Sequence, residues 1–511
     1  MKKLFSLLLA ATMTFSLTLP ALADHYTYSE PEKSTMMPRS TPETHGMSSQ
    51  YILDLLDAFD YADAEVHNIL MAIDGEVVFE GHYAPYTALD PHIMFSGTKI
   101  FTNAAVGVAV TEGYLHLDDY VYDVLKDYVT QDVSELQSKV QLKHLLTMTS
   151  GVDRFMSGSE LRPLTTSWIE HILTEPIVHE PGTYYLYSSG NTMLSSAMVT
   201  VATGKTCLDL LNTTGFCEEL GIKNFTWDMS PDGFNAGHGG IKITAEDLAK
   251  VGQLYMNGGV WNGKQILSKE WCDLAIGYEK TVENQGWTAY EDGLYYTATG
   301  SYGQTLAICP KLNMVIAIQA GTKQNIGELL YQNIFKPYGD ALDAGTVPEP
   351  DDALSAALAK RAENLNLMFT TDFTASPIGE LVDDVTFTAA ENQYGITTLS
   401  LDVHDDYIDY TMTDARGTHT IRNGIWQWLK GETSMTSNYT HHQYQYPTEP
   451  VYAYAEWKDA NTLQLTWRFP ELAFVDTLTL TFSDDGSQIG MVRSVNVNSG
   501  PLVCDEVVFT K

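Results

Sequence analysis

The chain alternates between helical and strand-like hydrophobic periods from Ser48 onward. Ile52, Leu55, Leu56 and Phe59 recur at helical spacing, so an amphipathic helix is predicted over residues 49–62. Ile69-Leu70-Met71-Ala72-Ile73 and Glu76-Val77-Val78-Phe79-Glu80 flank Asp74-Gly75, the pattern of a hairpin with a two-residue primed turn. An antiparallel sheet therefore begins here. Ile100, Phe101, Ala104, Ala105, Val108 and Ala109 then predict a helix with almost no polar face, stopped by Gly113, which suits a left-handed helix end. Leu142, Leu145 and Leu146 give a short helix running into Thr147-Met148-Thr149-Ser150-Gly151. Leu194, Ala197, Met198 and Val201 give a longer one for which Asn191 is a candidate cap. Thr244-x-x-Asp247 reads as a capping-box-like start to a helix carrying Leu248, Val251 and Tyr255 and closed by Gly258-Gly259. Two strand-like runs, 295–299 and 305–319, flank Gly300-Ser301-Tyr302-Gly303 and complete the sheet far from where it began. This order predicts an α+β architecture, an antiparallel sheet with packed helices and a helical subdomain.

Gly345-Thr346-Val347-Pro348-Glu349-Pro350-Asp351 interrupts the pattern as a linker, and a helix with Leu354, Ala357, Leu358 and Leu365 on one face is expected after it. Beyond about Phe369 the period becomes two, as in Leu399-Ser400-Leu401, Leu463-Gln464-Leu465 and Leu478-Thr479-Leu480, with four tryptophans between 426 and 467. Residues 370–511 are accordingly expected to form a separate all-β C-terminal domain. Periodicity leaves open whether that domain is a packing appendage or takes part in substrate access or binding.

Composition narrows the setting. With 511 residues, 44% hydrophobic and 18% charged, the chain is globular and too long for one ordinary domain. Lys2 and Lys3, an apolar run over 4–19 and Ala21-Leu22-Ala23 make residues 1–23 a secretory signal peptide, followed by a lead-in over 24–40. The expected location is secreted or extracytoplasmic, with no stable membrane insertion after cleavage. Removing that segment takes away two lysines and no acid, so the net charge of −36 becomes −38. Such an excess of acid excludes nucleic acid as a partner, because binding it needs clustered Lys and Arg. Cys207, Cys217, Cys272, Cys309 and Cys504 are too few for a disulfide framework; Cys207 and Cys217 could pair, but buried free thiols are expected. None has metal-ligand spacing with a histidine, and His441-His442 is expected at the surface, so no metal and no cofactor are anticipated.

The candidate chemistry lies in Phe95-Ser96-Gly97-Thr98-Lys99-Ile100-Phe101. A serine hydroxyl needs a base within hydrogen-bond reach to act as a nucleophile, and side chains at i and i+3 share a helix face. Lys99 is so placed, and the head of a buried helix disfavours an ammonium ion. A capping serine beside a solvated lysine is the plainer reading of those four residues alone.

The order of further motifs points the other way. Ser96-Gly97-Thr98-Lys99, Leu145-Leu146-Thr147-Met148-Thr149-Ser150-Gly151, Pro181-Gly182-Thr183 before Tyr187-Ser188-Ser189, and Gly239-Gly240 before the Thr244 helix together resemble the serine β-lactamase and penicillin-binding-protein superfamily. The likeness is to its class C β-lactamase-related branch of esterases, D,D-peptidases and amide hydrolases, and it covers about Ser40 to Gly321. It implies a catalytic domain over 41–344, then a linker and helix over 345–369. It also implies a two-step hydrolysis in which Ser96 forms an acyl-enzyme and Lys99 and Tyr187 move the protons. Substrate and oxyanion contacts are expected from Ser189, Asn191, Thr299, Gly300 and Ser301. Two departures matter. The second motif of the family reads Tyr-x-Asn, whereas here Ser189 takes the third place and the asparagine comes at 191. The third motif has a basic residue before its glycine, whereas Ala298-Thr299-Gly300-Ser301 has none. The missing cation favours a small ester or amide over a β-lactam or a D,D-carboxypeptidase substrate, and a non-catalytic binding or sensor protein is the remaining alternative.

Overall fold

Two large sheets, one open and one closed on itself, organise the described residues. The computed structural model describes residues 23–24, 36–223, 225–276, 286–367, 375–436, 441, 444 and 446–511. The segment expected to be a signal peptide, through residue 22, most of the expected lead-in and His442 lie outside the described residues.

Ser48 caps the first helix, α1 (Ser49–Tyr61), by accepting from the Gln50 N–H, and Ile52, Leu55, Leu56 and Phe59 face the sheet. The predicted hairpin is β1 (Val66–Ile73) and β2 (Glu76–His82), joined by Asp74 and Gly75 at φ 53° and 80°, as a type I′ turn requires. Downstream come β3 (Thr288–Tyr290), β4 (Tyr295–Gly300), β5 (Gln304–Cys309) and β6 (Met314–Ala320). The expected single run over 305–319 is thus two strands. Pro310 lacks an N–H for the ladder and Asn313 is left-handed at φ 44°, so the chain reverses between them. The sheet order is β2-β1-β6-β5-β4-β3, and β6 returns to pair with β1. Both faces of β1 are buried.

On one face lie α1 and the helices after β6; on the other lies a helical block built around α2 (Lys99–Thr111), α3 (Ser189–Thr203) and α4 (Ala245–Met256). Every α2 residue from Lys99 to Ala109 is buried, which is why its sequence has no polar stripe. Gly107 admits the Trp271 indole, since a Cβ there would stand 2.3 Å from its Nε1. Ser188, not Asn191, is the N-cap of α3; Asn191 sits inside the first turn, its amide 3.4 Å from Met148 Sδ. Of the helix after the linker (Asp352–Glu363) only Leu358 is buried. Ala357 is exposed, and the buried Leu365 lies beyond the helix end.

The C-terminal strands form a ten-stranded sheet, β7 (Val385–Ala389) to β16 (Val507–Thr510), in which β10 (Gly417–Ile425) pairs with β12 (Glu449–Asp459) and closes a barrel. Its interior is filled by side chains such as Phe387, Tyr410, Trp467 and Leu478. His441 is not at the surface: it is fully buried, 2.6 Å from Asp476 and stacked on Phe474. All five cysteines are free thiols, four of them buried. No helix among the described residues is long and apolar enough to cross a membrane.

Ion pairs join the barrel to the N-terminal unit. Lys242 lies 2.6 Å from Glu449 and 2.9 Å from Glu471, and Arg468 lies 2.8 Å from Glu65. The Ile93 N–H donates to the Glu471 carbonyl at 2.9 Å, which ties the strand before Ser96 to the barrel.

Candidate active site

Ser96 stands in a tight turn of 3₁₀ type (Phe95–Thr98) that runs directly into α2. Before it, His92–Ile93 pairs with Ile241–Ile243, and the Met94 N–H donates to the Ile241 carbonyl at 2.8 Å. The Gly239-Gly240 marker therefore has a steric role: Gly240 turns the chain at φ 93°, and a Cβ there would lie 2.5 Å from Asp228 Oδ2. Phe95, immediately before Ser96, is left-handed at φ 44°, a strained state for a residue of its size.

Three predicted residues converge. The Tyr187 hydroxyl donates to Ser96 Oγ at 2.8 Å. Lys99, 1% exposed, donates from Nζ to the His238 carbonyl at 3.2 Å and holds Nζ 4.8 Å from the centre of the Tyr187 ring. Around them opens a cavity of about 340 Å³ lined by Ser96, Lys99, Tyr187, Thr299, Gly300 and Ser301, with Gly286 and Thr288 beside them. Thr299, Gly300 and Ser301, the residues expected from the third motif, thus line the same cavity as Ser96. Gly300 ends β4 against the turn that carries Ser96, and a Cβ on it would stand 2.0 Å from the Met94 carbonyl oxygen. Lys99 carries the only ammonium or guanidinium among the described lining residues of this cavity.

A second cavity of about 380 Å³ shares Ser96, Tyr187 and Ser301 with the first and extends past Phe155, Ser189 and His238 to Tyr444 and Ser499 of the barrel. Ser189 is thus at the cleft, as expected, whereas Asn191 lines neither cavity because α3 turns its amide into the core. Burial, then the charges of Arg162 and Lys99, hold the His238 imidazole well below its ordinary range, so it is neutral. Burial pushes the Tyr302 phenol up to about 12, so it stays protonated. Among the described residues no group of three or more His, Cys, Asp or Glu side chains is placed to hold a metal ion.

Phe155, His238, Tyr444 and Ser499 escape a reading by motif. His238 carried a signal in the Gly-Gly that follows it; Tyr444 lies 205 residues from the Gly239 it approaches and Ser499 lies 197 residues from the Tyr302 its hydroxyl meets, and neither carries one.

A family model described as "Beta-lactamase" matches residues 67–336. The 6-aminohexanoate-dimer hydrolase of Paenarthrobacter ureafaciens is 24% identical over 273 residues, 47% of this chain and 69% of that protein. The acyltransferase mokF of Monascus pilosus is 27% identical over 160 residues, 27% of this chain; the match spans 38% of that relative's length. Among solved structures, a Bacillus anthracis protein assigned as a 6-aminohexanoate-dimer hydrolase superposes with a TM-score of 0.51 at 21% identity, covering 60% of this chain and 88% of its own. The matched family segment ends before the barrel begins.

Proposed function

Since the chain belongs to the beta-lactamase family, we propose that it is an exported serine hydrolase that cleaves a small ester or amide through an acyl-enzyme on Ser96. The observation that carries this reading is the 2.8 Å hydrogen bond between Tyr187 and Ser96 beside the buried Lys99 side chain. In the first step Ser96 Oγ bonds to the carbonyl carbon while its proton passes to the Lys99–Tyr187 pair, which enters the step one proton short, as Lys99 amine or Tyr187 phenolate. As the tetrahedral adduct collapses, that proton goes to the leaving oxygen or nitrogen. In the second step water adds to the acyl ester, its proton enters the same pair, and the carboxylic acid leaves as Ser96 is restored. The backbone N–H groups of Ser96 and Ser301, both at the cleft, would stabilise the oxyanion, and Thr299, Gly300 and Ser189 would contact the substrate. The hydrolase relative supports a substrate with a cleavable amide. The absence of a basic side chain among Thr299, Gly300 and Ser301 supports an uncarboxylated ester or amide over a β-lactam.

Mass spectrometry after exposure to a fluorophosphonate, a penicillin and a 4-nitrophenyl ester tests the reading. An adduct on Ser96 with ester turnover is expected, and Ser96→Ala should lose both while its circular dichroism is unchanged. A long-lived penicilloyl adduct without ester turnover would favour a penicillin-binding D,D-carboxypeptidase or weak β-lactamase. No adduct with any reagent would leave a binding or sensor protein.

A further inference from the structure

The wall of the larger cavity crosses from one unit to the other. Phe155 and Ser157 come from the helical block, Ser96 and Tyr187 form the reactive corner, and Tyr444 and Ser499 come from the barrel. Tyr444 is fixed: it is 4% exposed, its ring meets Phe95 edge-on at 5.4 Å and 86°, and the Arg162 guanidinium stands 3.6 Å over its face. That guanidinium is itself engaged by Asp228 at 2.7 Å. Phe155, in contrast, is 53% exposed, yet its ring stacks at 5.8 Å on Tyr187, the residue bonded to Ser96. An aromatic face held in water at the mouth of a cleft is surface that a bound group can cover. No carboxylate, ammonium or guanidinium is among the described lining residues of this cavity, and its imidazole, that of His238, is neutral. A substrate carboxylate would find no ammonium or guanidinium in the wall itself to pair with, and the guanidinium behind it, that of Arg162, is already engaged by Asp228.

We infer that Tyr444 of the barrel and Phe155 of the helical block form a subsite for an uncharged aromatic substituent of the substrate, which makes the barrel a specificity-determining part of the active site. The inference rests on the reading of Ser96 as the acyl-accepting nucleophile. Tyr444 and Ser499 lie outside the segment that the family model matches, so this wall belongs to the chain's own architecture.

The test compares kcat/KM for matched esters on each side of the scissile bond. On the acyl side the 4-nitrophenyl esters of 3-phenylpropanoate and of succinate are compared; on the alcohol side, the acetates of 2-naphthol and of 6-hydroxy-2-naphthoate. In at least one pair the wild-type protein should prefer the uncharged ring by about ten-fold. Phe155→Ala, at an exposed position that folding tolerates, and Tyr444→Ala should each reduce that preference by about five-fold, whereas Tyr444→Phe should keep it. A merely structural role for Tyr444 would lower both members of a pair alike and leave the ratio intact; wild-type ratios in both alanine variants overturn the inference. If Ser96 takes no fluorophosphonate and no ester turns over, the reading of Ser96 fails instead. Fluorescence titration with 2-naphthol then decides the subsite, and equal affinity in wild type, Phe155→Ala and Tyr444→Ala overturns it.

Discussion

The residues on either side of Ser96 belong to different cores. Downstream, Ile100 and Phe101 pack with the helical block; upstream, Ile93 and Phe95 are part of the same hydrophobic cluster as the barrel interior. The side chains proposed to react thus come from one unit, while the backbone that carries Ser96 is held by two. A left-handed non-glycine residue costs on the order of 1–3 kcal/mol and persists only where its surroundings enforce it. Around Phe95 they do so with ring edges: Tyr302 lies at 5.3 Å, Tyr444 at 5.4 Å and Phe474 at 6.2 Å, all between 83° and 86°. Sequence alone left the C-terminal domain between appendage and participant, and this packing is what favours participation.

The comparison predicts two kinds of loss. On the chemical side, Tyr187→Phe should lower kcat/KM by about 10² to 10⁴, because it removes a proton-transfer group, while the thermal midpoint stays near wild type. Full activity in that variant would remove Tyr187 from the mechanism. At the seam, Phe95→Ala should lose both properties: about 3 kcal/mol of stability from the emptied ring site, and about 10² in kcat from a nucleophile displaced by an ångström or so. Urea unfolding and initial rates on the same preparation separate the two. A Phe95→Ala protein that is destabilised but fully active would show that the barrel contributes stability and not aim.

Acid and base should act on the seam with opposite signs. Burial pushes the Glu65 carboxyl up, but the Arg468 guanidinium and then the His67 contact outweigh it and hold the group at about 2. Its folded value is depressed, so the stability it contributes is full above the unfolded value of about 4.5 and is lost as pH falls toward 2. For Glu449, burial and the neighbouring Glu471 exceed the pull of Lys242 and raise the carboxyl to about 7. The folded protein then binds a proton that the unfolded chain has released, and stability falls as pH rises from about 4.5 to about 7. Glu449→Gln should therefore flatten the thermal midpoint over that window and Glu65→Gln should flatten it below pH 4. Parallel curves for wild type and both variants would show that neither seam carboxylate titrates as its contacts require.

What the sequence disclosed is local. The type I′ hairpin, the apolar α2, the serine–lysine pair and the period-two barrel strands each rest on residues within one turn or one strand of each other, where spacing is fixed by backbone geometry. Tyr187 was legible only through a family motif, since 29 tyrosines offer no spacing to choose it. The seam was not legible. Lys242 and Glu449 are 207 residues apart and Arg468 and Glu65 are 403 apart, and nothing in either neighbourhood names its partner. His441 was misjudged for the same reason, because the Asp476 that pairs with it and the Phe474 that covers it arrive from another strand. Asn191 failed differently. A helix start one turn earlier, at Ser188, turned a candidate cap and substrate contact into a core amide.

The smallest effect is expected at an exposed brace of several ion pairs. Arg154 makes four hydrogen bonds to the carboxylates of Glu160 and Glu175, near the loop that carries Phe155. Its side chain is 44% exposed, so water competes for every one of them and salt screens the charges. Arg154→Ala should therefore cost less than about 1 kcal/mol in urea unfolding, and less still at high ionic strength. If the loop geometry that presents Phe155 depended on this brace, the variant would also lose the preference for an uncharged aromatic ester. An unchanged preference would place the support of that ring in its own packing on Tyr187, leaving the buried seam and not the surface charges as the device that shapes the cleft.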